Sequence, residues 1–345
     1  MTLAEMLRDR GGSIVFAGFG PRPTAGQRAE AERIGTLHWL DGGLDWLVAD
    51  EAELDAVGPV LDDLADREAV DVLHLNLPSQ AARLKTARPV VVVTHSCVPT
   101  WWATVREGPL PEAWIWQMRR NAEGFARADA IIAPSNSHAE LTEACYGPQP
   151  KLTVVPNGVR SVPRGDLKED FVFGAARWWD EGKNLQVIDR AAARLKWETR
   201  LAGETAGPHG GQVTIEHARG LGPLPHTEVL DLAQRAAIAV SPSIYEPFGL
   251  VALECARACT PLVLADIPTY RELWGGAALF FAPHDASELA RVIGRLIGDP
   301  ALREEMGACA NARSRSFSLQ AQADAMAAVH ARIAGPAARL PTPES

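Results

Sequence analysis

Short apolar runs alternate with helix-patterned stretches along almost the whole chain, and this alternation restricts the fold more than any other feature. Apolar runs bounded by Gly, Pro, Ser or Asn read as strands buried on both faces, with covering helices between them. In the first half the strand candidates are Ser13–Ala17, Leu37–Leu40, Val70–Leu75, Val90–Thr94, Ala130–Ala133 and Leu152–Val155. Pro156-Asn157-Gly158 behind the last of these is a turn signal, and the polar stretch 157–170 reads as a linker. A second series runs Phe171–Gly174, Glu198–Ala202, Val213–Glu216, Ala237–Val240, Leu262–Ala265 and Ala278–Phe281, with helical patterns such as Asn184–Leu195 and Glu228–Ala236 between. This order predicts an α/β protein of two doubly wound, Rossmann-like domains, with ligands at the carboxyl ends of the strands. Between two such domains that position is a cleft.

The 345 residues suit this division, being too many for one ordinary core and enough for two domains of roughly 150 residues. The expected partition is an N-terminal domain over 1–160 and a C-terminal domain over 161–315. A final helix within 316–334, patterned from Leu319 to Ala334, is expected to pack back on the N-terminal domain, and 335–345 reads as a frayed tail.

Composition excludes several classes. Hydrophobic residues at 47% and charged residues at 22% argue against disorder and fibres. A formal net charge of -9 repels polyanions, so no nucleic-acid partner is expected. Cys97, Cys145, Cys255, Cys259 and Cys309 are odd in number and show no C-x-x-C spacing, so they form neither a disulfide framework nor a zinc site. They read as reduced core thiols of a cytoplasmic protein. The N-terminus lacks the apolar core of a signal peptide, and no run reaches the ~20 apolar residues of a membrane span. Contact with the inner face of a membrane stays open for a lipid-linked substrate.

The strongest chemical signal is the run from Ser241 to Ala256, which contains Tyr245-Glu246-Pro247-Phe248-Gly249. It follows the strand candidate Ala237–Val240 and opens a helix near Phe248–Gly249. A helix N-terminus offers unpaired N–H groups and partial positive charge to a phosphate, and Gly249 admits close approach to the backbone. Glu246 and Glu254 are eight positions apart, roughly 12 Å if helical throughout, which suits an extended ligand with polyols at both ends. Glu254 interrupts an apolar run, and a buried carboxylate demands a partner. Ribose hydroxyls would serve; the structural alternative is a helix cap for Glu246 and an ion pair with Arg257 for Glu254.

Two cations, Arg177 and Lys183, flank a loop that follows the strand candidate Phe171–Gly174 and precedes a helix. Preorganised cations stabilise the negative charge that grows on a departing diphosphate, and Arg grips phosphate in a bidentate way. His95 ends the strand candidate Val90–Thr94 and is placed to hydrogen-bond a sugar, against the plain alternative of a structural histidine. The glycine-rich turn Gly18–Gln27 fails as a dinucleotide fingerprint because Pro21 and Pro23 break its spacing. Trp101 and Trp102, with Trp114 and Trp116, and separately Trp178 and Trp179, supply indole faces for sugar rings or for packing. Adjacent residues cannot both point inward from a strand, so at least one of each pair is expected to face the cleft or solvent. No Asp-x-Asp clamp follows a strand, and Asp62-Asp63 reads as helical surface, so no metal is expected.

Together these motifs resemble the retaining GT-B glycosyltransferases of family four, most densely from Phe171 to Phe281. Glu246 and Glu254 match the family's E-x7-E pair; Arg177 and Lys183 match its diphosphate-binding Arg and Lys. Leu262-Val-Leu-Ala-Asp-Ile-Pro-Thr-Tyr-Arg-Glu272 looks like the following strand and loop. Asp71-Val-Leu-His-Leu, Val92-Val-Thr-His95, Ala133-Pro-Ser-Asn-Ser and Val154-Val-Pro-Asn-Gly158 extend the likeness more thinly through the first half.

The resemblance implies that Arg177 and Lys183 hold the diphosphate of a UDP- or GDP-hexose, with backbone N–H groups of Phe248, Gly249 and Leu250. Glu246 would hold the donor sugar, Glu254 the ribose, and His95 the sugar from the other domain. It further implies front-face attack with retention of anomeric configuration, and neither metal nor cofactor. The acceptor would be a glycan, a lipid-linked glycan or a small molecule. The family's Gly-Gly pair near the acceptor is replaced here by Ala25-Gly26, and the first domain looks short between Trp46 and Val70; Ala25, Gly26, Trp101 and Trp102 are the acceptor-side candidates. Other readings are a GT-B-shaped sugar-nucleotide epimerase, for which His95 and Glu246 are a thin acid/base supply, and a non-catalytic nucleotide-sugar-binding protein.

Overall fold

The computed structural model describes residues 2–160 and 168–335. Half of the expected linker and most of the expected tail lie outside them. The chain forms two compact units, divided between Pro156 and Asn157 and again between Ser318 and Leu319. The boundaries therefore fall a few residues from those expected at 160 and 315.

The first unit carries strands β1 (Val15–Gly18), β2 (Thr36–Trp39), β3 (Leu73–Leu75), β4 (Val90–Val93), β5 (Ala130–Ala133) and β6 (Leu152–Val154). All pair in parallel, but they form two sheets, β1-β2 and β3-β4-β5-β6, instead of the single sheet expected. A cavity of about 430 Å³ is lined by Val15 and Phe16 of β1 and by Val72 and His74 beside and within β3, so these edges face open space where a ladder was expected. The segment between Trp46 and Val70 holds a 3-10 turn, Glu51–Leu54, and a helix, Val57–Arg67. Asp62 is more than helical surface, because its carboxylate accepts the Lys85 and Thr86 N–H groups at 2.8 and 3.1 Å.

β4 and β5 are buried along their whole length, as apolar strands covered on both faces must be. One face packs with Leu61, Ala65 and Phe125. The other packs with Met326 and Val329 of the helix Leu319–Ala334, which Asp324 ties to Arg10 at 2.6 Å.

The second unit is a single six-stranded parallel sheet of β7 (Glu169–Ala175), β8 (Glu198–Ala202), β9 (Arg219–Gly222), β10 (Ala236–Ser241), β11 (Leu262–Ala265) and β12 (Leu279–Phe281). Its order is β12-β11-β10-β7-β8-β9, so the chain winds outward from β7 in one direction and from β10 in the other. The strand expected at Val213–Glu216 is absent, and β9 begins at Arg219. The Asp189 carboxylate accepts the N–H groups of Glu216, His217 and Ala218 at 3.0, 3.0 and 2.9 Å, and Val213 N–H goes to Thr205 C=O at 2.9 Å, so donors at both ends of the expected strand are held outside any ladder. Phe171, Phe173, Ile238, Leu253 and Leu264 are fully buried in this unit's core. Among the described residues no helix is long and apolar enough to cross a membrane.

Candidate functional site

In an open parallel sheet, ligands sit where neighbouring strands lead off in opposite directions. In the second unit that point lies between β7 and β10. Ala239 is opposite Phe173, so the last residues, Ala175 and Ser241, end abreast. The loop after β7 carries Arg177 and Lys183; the loop after β10 carries Glu246 and Gly249. The two loops are laced together. Gly182 C=O accepts the Ile244 N–H at 2.9 Å, and Asn184, left-handed at φ 54, donates to Pro242 C=O at 3.0 Å and Pro283 C=O at 2.7 Å.

This lacing brings Lys183 Nζ to 2.8 Å from Glu246 Oε2, with both side chains largely buried. Arg177 stays exposed, its guanidinium over the Trp179 ring at 5.5 Å from the centroid. Of the adjacent tryptophans, Trp178 is buried with its indole N–H on Ala202 C=O at 2.8 Å, and Trp179 is half-buried.

The helix following the second loop is Leu250–Arg257, beginning just beyond the expected start, so Glu246 lies before it and the helical rise does not measure its distance from Glu254. Gly249 is its N-cap at φ 89, a left-handed backbone that suits glycine. A side chain there would also meet Tyr270 Cε1 at 3.0 Å. Among the described residues no side chain caps this helix; helix geometry leaves its first-turn N–H groups without intrahelical partners, and Leu250 at its start is exposed. Phe248 is buried edge-to-face on Phe317, 5.6 Å between centroids. Beneath the loop, Tyr270 Oη lies 2.5 Å from Ser241 Oγ; burial, then the Glu246 charge, pushes the Tyr270 hydroxyl far above its usual pKa.

Glu254 is buried, but its partner is not Arg257, whose guanidinium donates to Phe317 C=O at 3.3 Å. It is His226, at the start of the helix His226–Arg235, with Nε2 2.7 Å from Glu254 Oε1. Burial raises the Glu254 carboxyl, and the imidazole pulls it part of the way back. Sequence reasoning missed His226 and Tyr270; the only signal was position, His226 after Pro225 at a helix start and Tyr270 in the run that follows β11.

The remaining candidates lie in the first unit. His95 follows β4, exposed, its Nε2 3.2 Å from Asn76 Oδ1. Ala25 and Gly26 are exposed in the first turn of the helix Ala25–Ile34, which Thr24 and Gln27 close with a reciprocal capping box. Trp101 and Trp102 are both half-buried on the helix Val98–Val105, so neither is turned wholly inward. Trp102 meets Trp114 edge-to-face at 5.3 Å.

The site's chemistry is thus a partly neutralised cation, an exposed Arg, an uncapped helix start and a buried carboxylate, all at one end of one sheet. The family model described as Glycosyltransferase Family 4 matches residues 1–161, and that described as Glycosyl transferases group 1 matches 213–313. A glycogen synthase from Mycobacterium tuberculosis is 43% identical over 119 residues, 34% of this chain and 29% of that protein, so the chain matches under a third of this relative's length. A D-inositol 3-phosphate glycosyltransferase from Thermobifida fusca is 28% identical across 88% of this chain and 71% of its own length. The solved structure of Anabaena Alr3699/HepE in complex with UDP and glucose superposes with a TM-score of 0.75 over 95% of both chains, at 15% identity.

Proposed function

The chain belongs to the family-four glycosyltransferases of the GT-B fold, and we propose that it moves a hexosyl group from a UDP- or GDP-sugar to a hydroxyl acceptor. The observation that carries this reading is the Lys183–Glu246 pair beside the uncapped helix Leu250–Arg257, where β7 and β10 lead apart. A diphosphate laid against that helix start meets free N–H groups, the helix dipole and Lys183, with Arg177 free to fold over it from the neighbouring loop. Glu246 then accepts hydroxyls of the transferred sugar, and Glu254 accepts those of the ribose. That HepE was solved with UDP and glucose supports a nucleotide sugar as the donor.

In this reading the anomeric C–O bond breaks and its electron pair passes to the β-phosphate oxygen. The acceptor hydroxyl attacks from the same face and yields its proton to that phosphate, so configuration is retained. The growing phosphate charge is met by Arg177, Lys183 and the helix start, and the step needs neither metal nor cofactor. His95 is proposed to hydrogen-bond the transferred sugar, and Ala25, Gly26, Trp101 and Trp102 to line the acceptor side. The acceptor is a glycan, a lipid-linked glycan or a small polyol; the T. fusca relative's name, an inositol phosphate glycosyltransferase, supports the last. Five unpaired cysteines support a reducing, cytoplasmic setting.

The test is incubation with a panel of UDP- and GDP-hexoses and assay of released nucleoside diphosphate. Slow hydrolysis of one donor, lost in Glu246→Ala, is expected. Release from no donor, or release indifferent to Glu246→Ala, contradicts the reading.

A further inference from the structure

His226 stands outside every motif that points to the donor site, yet among the described residues it alone makes a hydrogen bond to the buried carboxylate of Glu254, at 2.7 Å on Oε1. The two carboxylate oxygens differ. Oε1 is taken by the imidazole. Oε2 makes no hydrogen bond among the described residues and is not among the buried atoms left without a partner, so it is open to a ligand or water. The imidazole itself is 68% exposed, whereas the Glu254 side chain is 10% exposed. A buried residue held from one side by an exposed one, with its second oxygen open, is arranged to present that oxygen.

The two residues also come from different directions. Glu254 rides on the helix that follows β10, and His226 begins the helix His226–Arg235 that leads into β10. Pro225 precedes His226 in the extended conformation and sets the imidazole at the very start of its helix. Among the described residues His226 is the side chain whose hydrogen bond offsets the effect of burial on Glu254.

We propose that His226 is a positioning residue for the nucleoside: it fixes the rotamer of Glu254 through Oε1 and keeps the carboxylate a pure acceptor, so that Oε2 takes a ribose hydroxyl. This makes His226 a determinant of selectivity for ribose over deoxyribose nucleotides. The inference rests on the donor-site reading of Glu254 given above.

The experiment uses the full chain, with whichever of UDP or GDP the wild-type protein binds, and the matching 2′,3′-dideoxynucleoside diphosphate. His226→Ala should weaken binding of the ribonucleotide and raise the donor KM by about 10-fold, the loss expected for one hydrogen bond to a charged group, with kcat little changed. The dideoxy nucleotide, which has no hydroxyls to offer, should bind wild type and variant alike. His226→Gln, whose amide N–H can still donate to Oε1, should recover most of the ribonucleotide affinity. The exposed position lets both variants fold, which an unchanged melting temperature verifies. Ribonucleotide affinity unchanged in His226→Ala, or lost equally for both nucleotides, overturns the inference alone. Wild-type protein that binds neither UDP nor GDP overturns the donor site and the inference with it.

Discussion

Lys183 Nζ stands 2.8 Å from Glu246 Oε2, so the cation after β7 and the carboxylate after β10 neutralise one another across the point where the sheet's winding reverses. Such a pair is poised to be divided, the ammonium towards phosphate and the carboxylate towards sugar hydroxyls. Holding both charges together before a ligand arrives limits the cost of keeping each one largely out of water.

Lys183→Ala removes a phosphate cation and strands Glu246. Turnover of the donor should fall about 100- to 1000-fold, the usual loss for one preorganised donor. Stability should fall by about 2 kcal/mol, below the figure for a fully buried pair because both side chains keep some exposure. Steady-state kinetics and urea melts check the two effects.

Gly249→Ala forces a side chain into a left-handed backbone at φ 89 and against Tyr270 Cε1 at 3.0 Å. The expected cost is about 1–3 kcal/mol, read as a drop in melting temperature. Gly26→Ala, at an open helical position with nothing within 4 Å, should stabilise the fold slightly or leave it unchanged.

Burial raises the Glu254 carboxyl, so the folded chain keeps this proton to higher pH than the unfolded chain does. Its contribution to stability is therefore greatest at low pH and is lost as pH rises from the ordinary carboxyl value through the raised one. Glu254→Gln does not titrate. Its stability relative to wild type should rise with pH across that window in paired thermal melts, and a flat difference would reject the shift.

Burial holds His138 down to about 4 from an ordinary 6.5, with Thr94 Oγ1 3.3 Å from its Nε2. The folded chain here binds fewer protons than the unfolded one. Stability from the neutral ring is present above the ordinary value and is lost as pH falls from there towards about 4, at about 1.4 kcal/mol per pH unit. In denaturant melts, His138→Asn should cost stability at neutral pH, and the gap to wild type should close as the solution is acidified. Parallel pH profiles for the two proteins would contradict it.

The sequence shows strands wherever an apolar run meets a turn signal. Ala130–Ala133, Glu198–Ala202 and Leu262–Ala265 and the helix Leu319–Ala334 have the bounds expected. It fails at Val213–Glu216, where the pattern is strand-like but the Asp189 carboxylate, on the helix Leu185–Ala192, claims the N–H groups of Glu216 and the two residues after it. The split of the first unit's sheet depends on whether β1 and β3 share a ladder, which no local pattern encodes. In the candidate site the residue types were visible as motifs, but their pairing was not. The short spacing to Arg257 suggested a partner for Glu254, while the observed one, His226, is 28 positions away and arrives through the crossover into β10.

The most direct measurement is a calorimetric titration of UDP and of GDP into the wild-type protein, Lys183→Ala and Glu254→Ala. The account expects one of the two nucleotides to bind wild type, and each substitution to weaken that binding by about 10-fold or more, the worth of a charge-assisted contact. Binding of neither nucleotide, or equal affinity in all three proteins, would contradict a donor site at the carboxyl ends of β7 and β10.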